Sequence, residues 1–129
     1  MVWSPLSNLL LYGDTARVDA AREAHVPIGL GSDWAPSGSK NLLGEMKVAW
    51  LYSHHVLHDL FSPRDLVAMV TRDAAAILKW QSALGTLEPG KHADLCVIDG
   101  VDGDPYDALI HARETQIRLV MIEGVARYG

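Results

Sequence analysis

The residue in this chain best placed for chemistry is a carboxylate on a sharp turn. Asp33 follows the stretch Val26-Pro-Ile-Gly-Leu30, a short apolar run closed by Gly31-Ser32. A run this short, flanked by Pro27 and Gly31, reads as a buried strand and not a helix. Gly31 lets the backbone bend where the strand stops, so the Asp33 side chain projects from the strand end. In α/β folds, chemistry gathers at the C-terminal ends of parallel strands. Asp also caps turns, so both readings stay open at this point.

Histidines are the next candidates, six in number. His54 and His58 stand i, i+4 and on a helix would share one face as a metal pair. Their context, Ser53-His-His-Val-Leu-His58, lacks the Glu of a zinc-protease helix, and a solvated helix end is the favoured reading. His25 falls in a last helical turn, where the helix dipole favours it, while His92 and His111 read as surface residues. The single cysteine, Cys96, sits inside Asp94-Leu-Cys-Val-Ile98 and reads as a small core residue.

The elements that position these groups follow from patterning. Val2-Trp3 reads as a strand end and Ser4-Pro-Leu-Ser-Asn8 as a loop broken by Pro5. Asp14 or Thr15 is expected to cap a helix running to about His25. Residues 34–41 are rich in Ser, Gly and Pro and read as a loop. A helix is predicted from Leu42 to about His58, with Leu43, Met46, Ala49 and Trp50 inward and Glu45 and Lys47 solvated. Ser62-Pro-Arg-Asp65 is a helix start with a capping-box pattern, and that helix is predicted to run to Lys79-Trp80. Beyond Ala83 the pattern changes to strands at 84–87, 93–99 and 116–122, with a turn at 88–91, a helical turn at 106–112 and a final turn at Gly124.

Composition narrows the class. The chain has 129 residues, is 49% hydrophobic and 21% charged, and carries a formal charge of −5. It is globular, has no basic cluster to meet nucleic acid or an anionic membrane, and has no apolar run long enough to span a bilayer. Met1-Val-Trp-Ser-Pro5 lacks the features of a signal peptide. One cysteine forbids an internal disulfide and suits a reducing, cytoplasmic setting.

Taken in order, Ser4-Pro-Leu-Ser-Asn8, Gly31-Ser-Asp33, Pro36-Ser-Gly-Ser-Lys-Asn-Leu-Leu-Gly-Glu45, Val70-Thr-Arg-Asp-Ala74 and Leu84-Gly-Thr-Leu-Glu-Pro-Gly-Lys-His-Ala-Asp-Leu95 form a recognisable series. The chain resembles the C-terminal part of the amidohydrolase superfamily, in particular its metal-dependent deaminases and chlorohydrolases. The resemblance implies an α/β fold: the last two β/α units of a (β/α)8 barrel over residues 1–82, with strands 7 and 8, then part of a small composite β-sandwich over 83–129. A complete barrel takes roughly 250 residues, so what is implied is the C-terminal portion of a hydrolase acting on non-peptide carbon–nitrogen bonds. Carbon–halogen hydrolysis is the alternative chemistry.

By the same resemblance, Asp33 matches the family's eighth-strand metal ligand and proton shuttle, and Ser4 and Asn8 lie near the active-site mouth. Trp34 and Lys40 are expected to face a substrate pocket from the following loop. The implied cofactor is a divalent metal, zinc or iron, and the implied partner a small-molecule substrate. The family's His-x-His pair is absent from this sequence. One carboxylate does not make a zinc site, which takes about three or four protein ligands, so the chain alone is expected to bind no metal stably and to be inactive. Two barrel strands cannot close, and their apolar faces predict an oligomer or pairing with an N-terminal portion. A binding or scaffolding module that keeps Asp33 as a relic is the reading from a different class.

Overall fold

The computed structural model describes residues 1–100 and 102–129. Two short parallel strands, β1 (Val2–Trp3) and β2 (Gly29–Leu30), pair in the register Val2 to Gly29 and Trp3 to Leu30. Between them run α1 (Pro5–Tyr12) and α2 (Val18–Glu23), and after them α3 (Leu42–His55), α4 (Pro63–Val70) and α5 (Arg72–Ile77). The second part holds β3 (Leu95–Ile98), α6 (Pro105–His111), a 3-10 turn at Glu114–Gln116, β4 (Ile117–Ile122) and β5 (Val125–Tyr128). The order β3-β4-β5 is an antiparallel sheet with bulges in both pairings. Among the described residues no helix is long and apolar enough to cross a membrane.

Trp3 is the centre of the core. Its side chain is fully buried, edge-on to Tyr52 and tilted against Phe61. Met46 and Ala49 of α3, Leu66 and Met69 of α4 and Ile110 of α6 belong to the same apolar cluster. An element of the second part, α6, therefore shares the core of the first.

Local chemistry explains where the elements start and stop, and corrects several expectations. Residues 5–8 are not a loop. Pro5 occupies the first turn of α1, where its missing N–H has no partner to lose, and α1 ends at Gly13 in a left-handed conformation. Neither Asp14 nor Thr15 caps α2, which begins only at Val18. The Thr15 hydroxyl is already engaged, accepting from Trp3 Nε1 at 2.7 Å and donating to Asn8 Oδ1 at 3.2 Å. His25 lies beyond the end of α2 in the left-handed region, φ 54°.

The expected Leu42–His58 helix stops at His55 because the chain turns back onto it. Ser53 Oγ accepts the Phe61 N–H at 2.8 Å, and the Ser53 carbonyl accepts the Asp59 N–H at 2.9 Å. His58 is thus off the helix, so it shares no helical face with His54. His54 instead meets Asp59 Oδ1 at 2.6 Å and stacks on Trp50. The predicted 62–80 helix is two helices, broken at Thr71, whose hydroxyl donates back to the Val67 carbonyl at 2.7 Å.

The α4 start matches expectation: Ser62 Oγ accepts the Asp65 N–H and Asp65 accepts the Ser62 N–H. Ser62→Ala is expected to cost about 1 kcal/mol, read as a lower urea midpoint with an unchanged slope.

Residues 84–87 form no strand. Gly85, at φ 93°, lies so close to α5 that a Cβ would come within 2.6 Å of Ala75 Cβ, so this segment packs on a helix and not in a sheet. Cys96 is exposed, not a core residue. Cys96 and Val97 are neighbours pointing to opposite faces of β3, and both are exposed. At these two positions side chains on both faces reach solvent. Partial desolvation still pushes the Cys96 thiol up, away from reactivity.

Candidate functional site

The site is built at the C-terminal ends of β1 and β2. Leaving β1, the chain enters α1 within two residues, which sets Ser7 on the buried side of that helix. Leaving β2, Gly31 meets Val2 and Ser4 so closely that a Cβ would lie 2.8 Å from Val2 Cγ1 and 3.4 Å from Ser4 Oγ. The bare backbone at Gly31 thereby lets the two strand ends touch. Asp33 follows with φ 56°, a left-handed conformation that Asp tolerates better than most residues. The twist presents its carboxylate to Ser7, whose hydroxyl donates to Asp33 Oδ2 at 2.6 Å. A bond this short to a charged acceptor is of the stronger class and fixes the side-chain orientation.

Ser37 closes the group. Its Oγ lies 3.1 Å from Ser7 Oγ and donates to the Trp34 carbonyl at 3.3 Å. The Ser37 and Gly38 N–H groups donate to that same carbonyl at 2.9 and 2.8 Å, so residues 34–38 form one tight turn. Position 38 must be glycine here: a Cβ would fall 1.6 Å from the Ser32 carbonyl oxygen.

Behind this turn lies Glu45, which the sequence reading placed in solvent. It is fully buried. Its Oε1 accepts the Ser39 N–H at 2.9 Å and its Oε2 the Leu6 N–H at 3.3 Å. Gly44 makes room for the loop, since a Cβ there would sit 2.8 Å from Ser39 Cβ. Asn41 caps α3, accepting from Gly44 N–H at 3.1 Å, and its amide donates to Glu114 Oε1 at 3.0 Å.

The five residues singled out from sequence are dispersed around this centre. Asp33 is exposed and holds the contacts just described. Ser4, half-buried, precedes Pro5 and makes no capping bond, its hydroxyl lying beside Gly31. Asn8 is engaged elsewhere, accepting from Thr15 in the Trp3–Thr15–Asn8 chain that ties α1 to the following connection. Trp34 is 68% exposed on the outside of the turn, and Lys40 is exposed where the loop enters α3. Ser7, Ser37 and Glu45 are the residues that sequence reasoning missed. A signal existed for each helix. Ser4-Pro5 repeats the Ser62-Pro63 start, and Glu45, Ala49 and Ser53 fall at i, i+4, i+8 on the buried face of α3.

Asp33 can offer one oxygen ligand. Among the described residues, no group of three or more His, Cys, Asp or Glu converges to hold an ion, whereas a zinc centre takes about three or four protein ligands. The described residues do not by themselves complete such a site.

Comparison with known proteins places the arrangement in context. A 5-methylthioadenosine/S-adenosylhomocysteine deaminase of Symbiobacterium thermophilum is 38% identical over 99 residues, 74% of this chain and 23% of its own length. An adenosine deaminase from Xanthomonas campestris, solved with bound zinc, superposes with a TM-score of 0.89 at 24% identity, over 98% of this chain and 31% of that one. An atrazine chlorohydrolase from Arthrobacter aurescens complexed with zinc gives 0.79 at 27% identity, over 95% and 30%. This chain thus spans about a quarter of the deaminase and under a third of the solved structures. The profile described as "Amidohydrolase family" matches residues 3–127. With nearly every residue inside that match, the chain belongs to the amidohydrolase family and corresponds to the C-terminal portion of its deaminase- and chlorohydrolase-like members.

Proposed function

We propose that this chain is the C-terminal portion of a hydrolase that cleaves non-peptide carbon–nitrogen bonds, with Asp33 as its acid–base carboxylate. Residues 1–82 would form the last two β/α units of the barrel and 83–129 part of a composite β-sandwich. The observation that carries the reading is the Asp33 carboxylate, set on a left-handed turn at the end of a parallel strand and oriented by Ser7 at 2.6 Å. Its exposed position leaves one oxygen open to a water and a substrate.

The chemistry this permits is a proton relay. Asp33 accepts a proton as water oxygen bonds to the substrate carbon, then returns it to the nitrogen as the carbon–nitrogen bond breaks. Ser4, Trp34 and Lys40 stand around the same turn as candidates for substrate contact. The divalent metal, zinc or iron, would draw its remaining ligands from outside these residues, and the zinc in the chlorohydrolase supports that cofactor. That relative also supports carbon–halogen hydrolysis as the second reading. On its own the chain would be inactive. The exposed side chains of Val2, Leu10, Leu11 and Tyr12 along β1 and α1 support self-association or pairing with further barrel strands.

The test is ammonia release from an aminated heterocycle. Joined to the remaining barrel strands of a related deaminase, the chain is expected to support release, and Asp33→Asn to lower it by about 10²–10⁴-fold. Undiminished release in that variant overturns the acid–base role. For the isolated chain, no release above background is expected, and release that Asp33→Ala abolishes would show the chain to be self-sufficient. Elemental analysis of the same preparations reads whether any zinc or iron present depends on Asp33.

A further inference from the structure

A fully buried carboxylate needs a reason, because stripping water from a charge is costly unless hydrogen bonds replace it. Glu45 is 0% exposed, and its two oxygens take backbone N–H groups from two different places: Leu6 in the first turn of α1 and Ser39 in the loop after β2. Those two segments also carry the groups that meet at Asp33. Ser7 follows Leu6, Ser37 precedes Ser39 by two residues, and the hydroxyls of Ser7 and Ser37 lie 3.1 Å apart with Ser7 bonded to Asp33. We infer that Glu45 is a positioning residue: by holding α1 and the 33–41 loop together from behind, it sets the Ser7–Asp33 contact and with it the direction of the Asp33 carboxylate.

Four features fit the carboxylate to this task. A carboxylate accepts on both oxygens, so it can bridge two N–H donors at once; the amide of Gln offers one acceptor and would turn N–H against N–H at the other. The donors are 33 residues apart in sequence and belong to no common element; the β1–β2 ladder stops at Trp3 and Gly31, and among the described residues no backbone hydrogen bond links Leu6 to Ser39. Asp33 itself is in the left-handed region, φ 56°, a conformation that holds only where its surroundings determine it. The bare Gly44 lets Ser39 lie on α3 within reach of Glu45.

The inference rests on the proposed role of Asp33 only for its catalytic meaning, and its test needs neither metal nor substrate. Isotope-labelled chain is examined by NMR. Hydrogen-bond scalar couplings are expected from the Leu6 and Ser39 amide nitrogens to the Glu45 side-chain carbon. In Glu45→Gln, amide exchange at Leu6 and Ser39 is expected to rise about tenfold or more, and the Asp33 carboxyl and Ser7 Cβ resonances are expected to move, while α6 amides do not change. Ser7→Ala should move the Asp33 resonance and leave Leu6 and Ser39 protected. Should Glu45→Gln fail to fold, Gly44→Ala pushes Ser39 off α3 without touching Glu45 and is expected to shift the same Asp33 and Ser7 resonances. Absent couplings overturn the proposal. So does faster exchange at Leu6 and Ser39 with Asp33 and Ser7 unmoved, which would leave Glu45 as a packing residue only. Undiminished ammonia release in Asp33→Asn would overturn the catalytic reading and leave this geometry standing.

Discussion

Trp3→Ala is expected to destabilise the fold by about 3–5 kcal/mol, the range for removing a large aromatic side chain from a core. Against a typical total of about 5–15 kcal/mol, that removes from about a fifth to all of the stability. Burial is complete at this position, and the ring meets Tyr52 at 6.3 Å and Phe61 at 5.9 Å between centroids. Aromatic pairs of this kind add about 0.5–1.5 kcal/mol beyond buried area. The indole N–H donates to Thr15, so truncation also loosens the link from β1 to Asn8 and α1. Because β1 is only two residues long, little else anchors it. Urea unfolding followed by far-UV circular dichroism measures the effect. Trp3→Phe keeps most of the ring volume and loses the hydrogen bond, so it is expected to lose under half as much. A change below about 1.5 kcal/mol in Trp3→Ala would mean the cavity collapses, contrary to the close packing seen here.

Ile110→Ala is the second large effect, expected at about 2–4 kcal/mol. Ile110 is fully buried in α6, and α6 packs on α3 and α4. Its loss therefore acts on the joint between the two parts of the chain. Among the described residues, two hydrogen bonds remain across that joint, Lys47 Nζ to the Ala112 carbonyl and Asn41 to Glu114. Both lie at partly accessible positions and contribute little by themselves. Hydrogen exchange in β3 and β4 is expected to accelerate more than exchange in α3 or α4, since the sheet loses its docking while the first core keeps Trp3, Leu66 and Met69. Equal acceleration everywhere would show that the two parts unfold as one unit.

How far the residues themselves announced this fold depends on the range of the interactions. The α4 start was legible because a capping box is complete within four residues. The β2 strand, the turn at Asp33, the inward faces of Met46 and Ala49 and the strand at 117–122 follow from local periodicity and appear as expected. The helix at Pro5–Tyr12 was lost to an over-reading of Pro5 as a breaker. Where long-range contacts decide, local pattern failed. Thr15 looks like a cap until Trp3 claims its hydroxyl, and the end of α3 is set by Phe61 reaching back to Ser53. Cys96 reads as core in the apolar run Leu95–Ile98, yet its side chain is exposed in the sheet it joins.

The candidate site divides the same way. Asp33 was visible from its place after a strand. Its supporting groups were not, because Ser7 comes 26 residues before it and meets it only through the fold, and Ser37, four residues after it, reaches it only by way of Ser7. A charged residue such as Glu45 is read as solvated by default. Only its two backbone donors from opposite ends of the site explain its burial.

The turn at 34–38 also limits how this chain can change over time. With a Cβ at position 38 placed 1.6 Å from the Ser32 oxygen, the ring closes in one way. Side chains inside it, Ser37 among them, are tied to the carboxylate they support. Trp34, Ala35 and Pro36 point outward and are exposed. Mutation can therefore explore the outer arc while the inner arc stays constant and the carboxylate stays where it is. Diversification and constancy are separated here within five consecutive residues, by the absence of one methyl group.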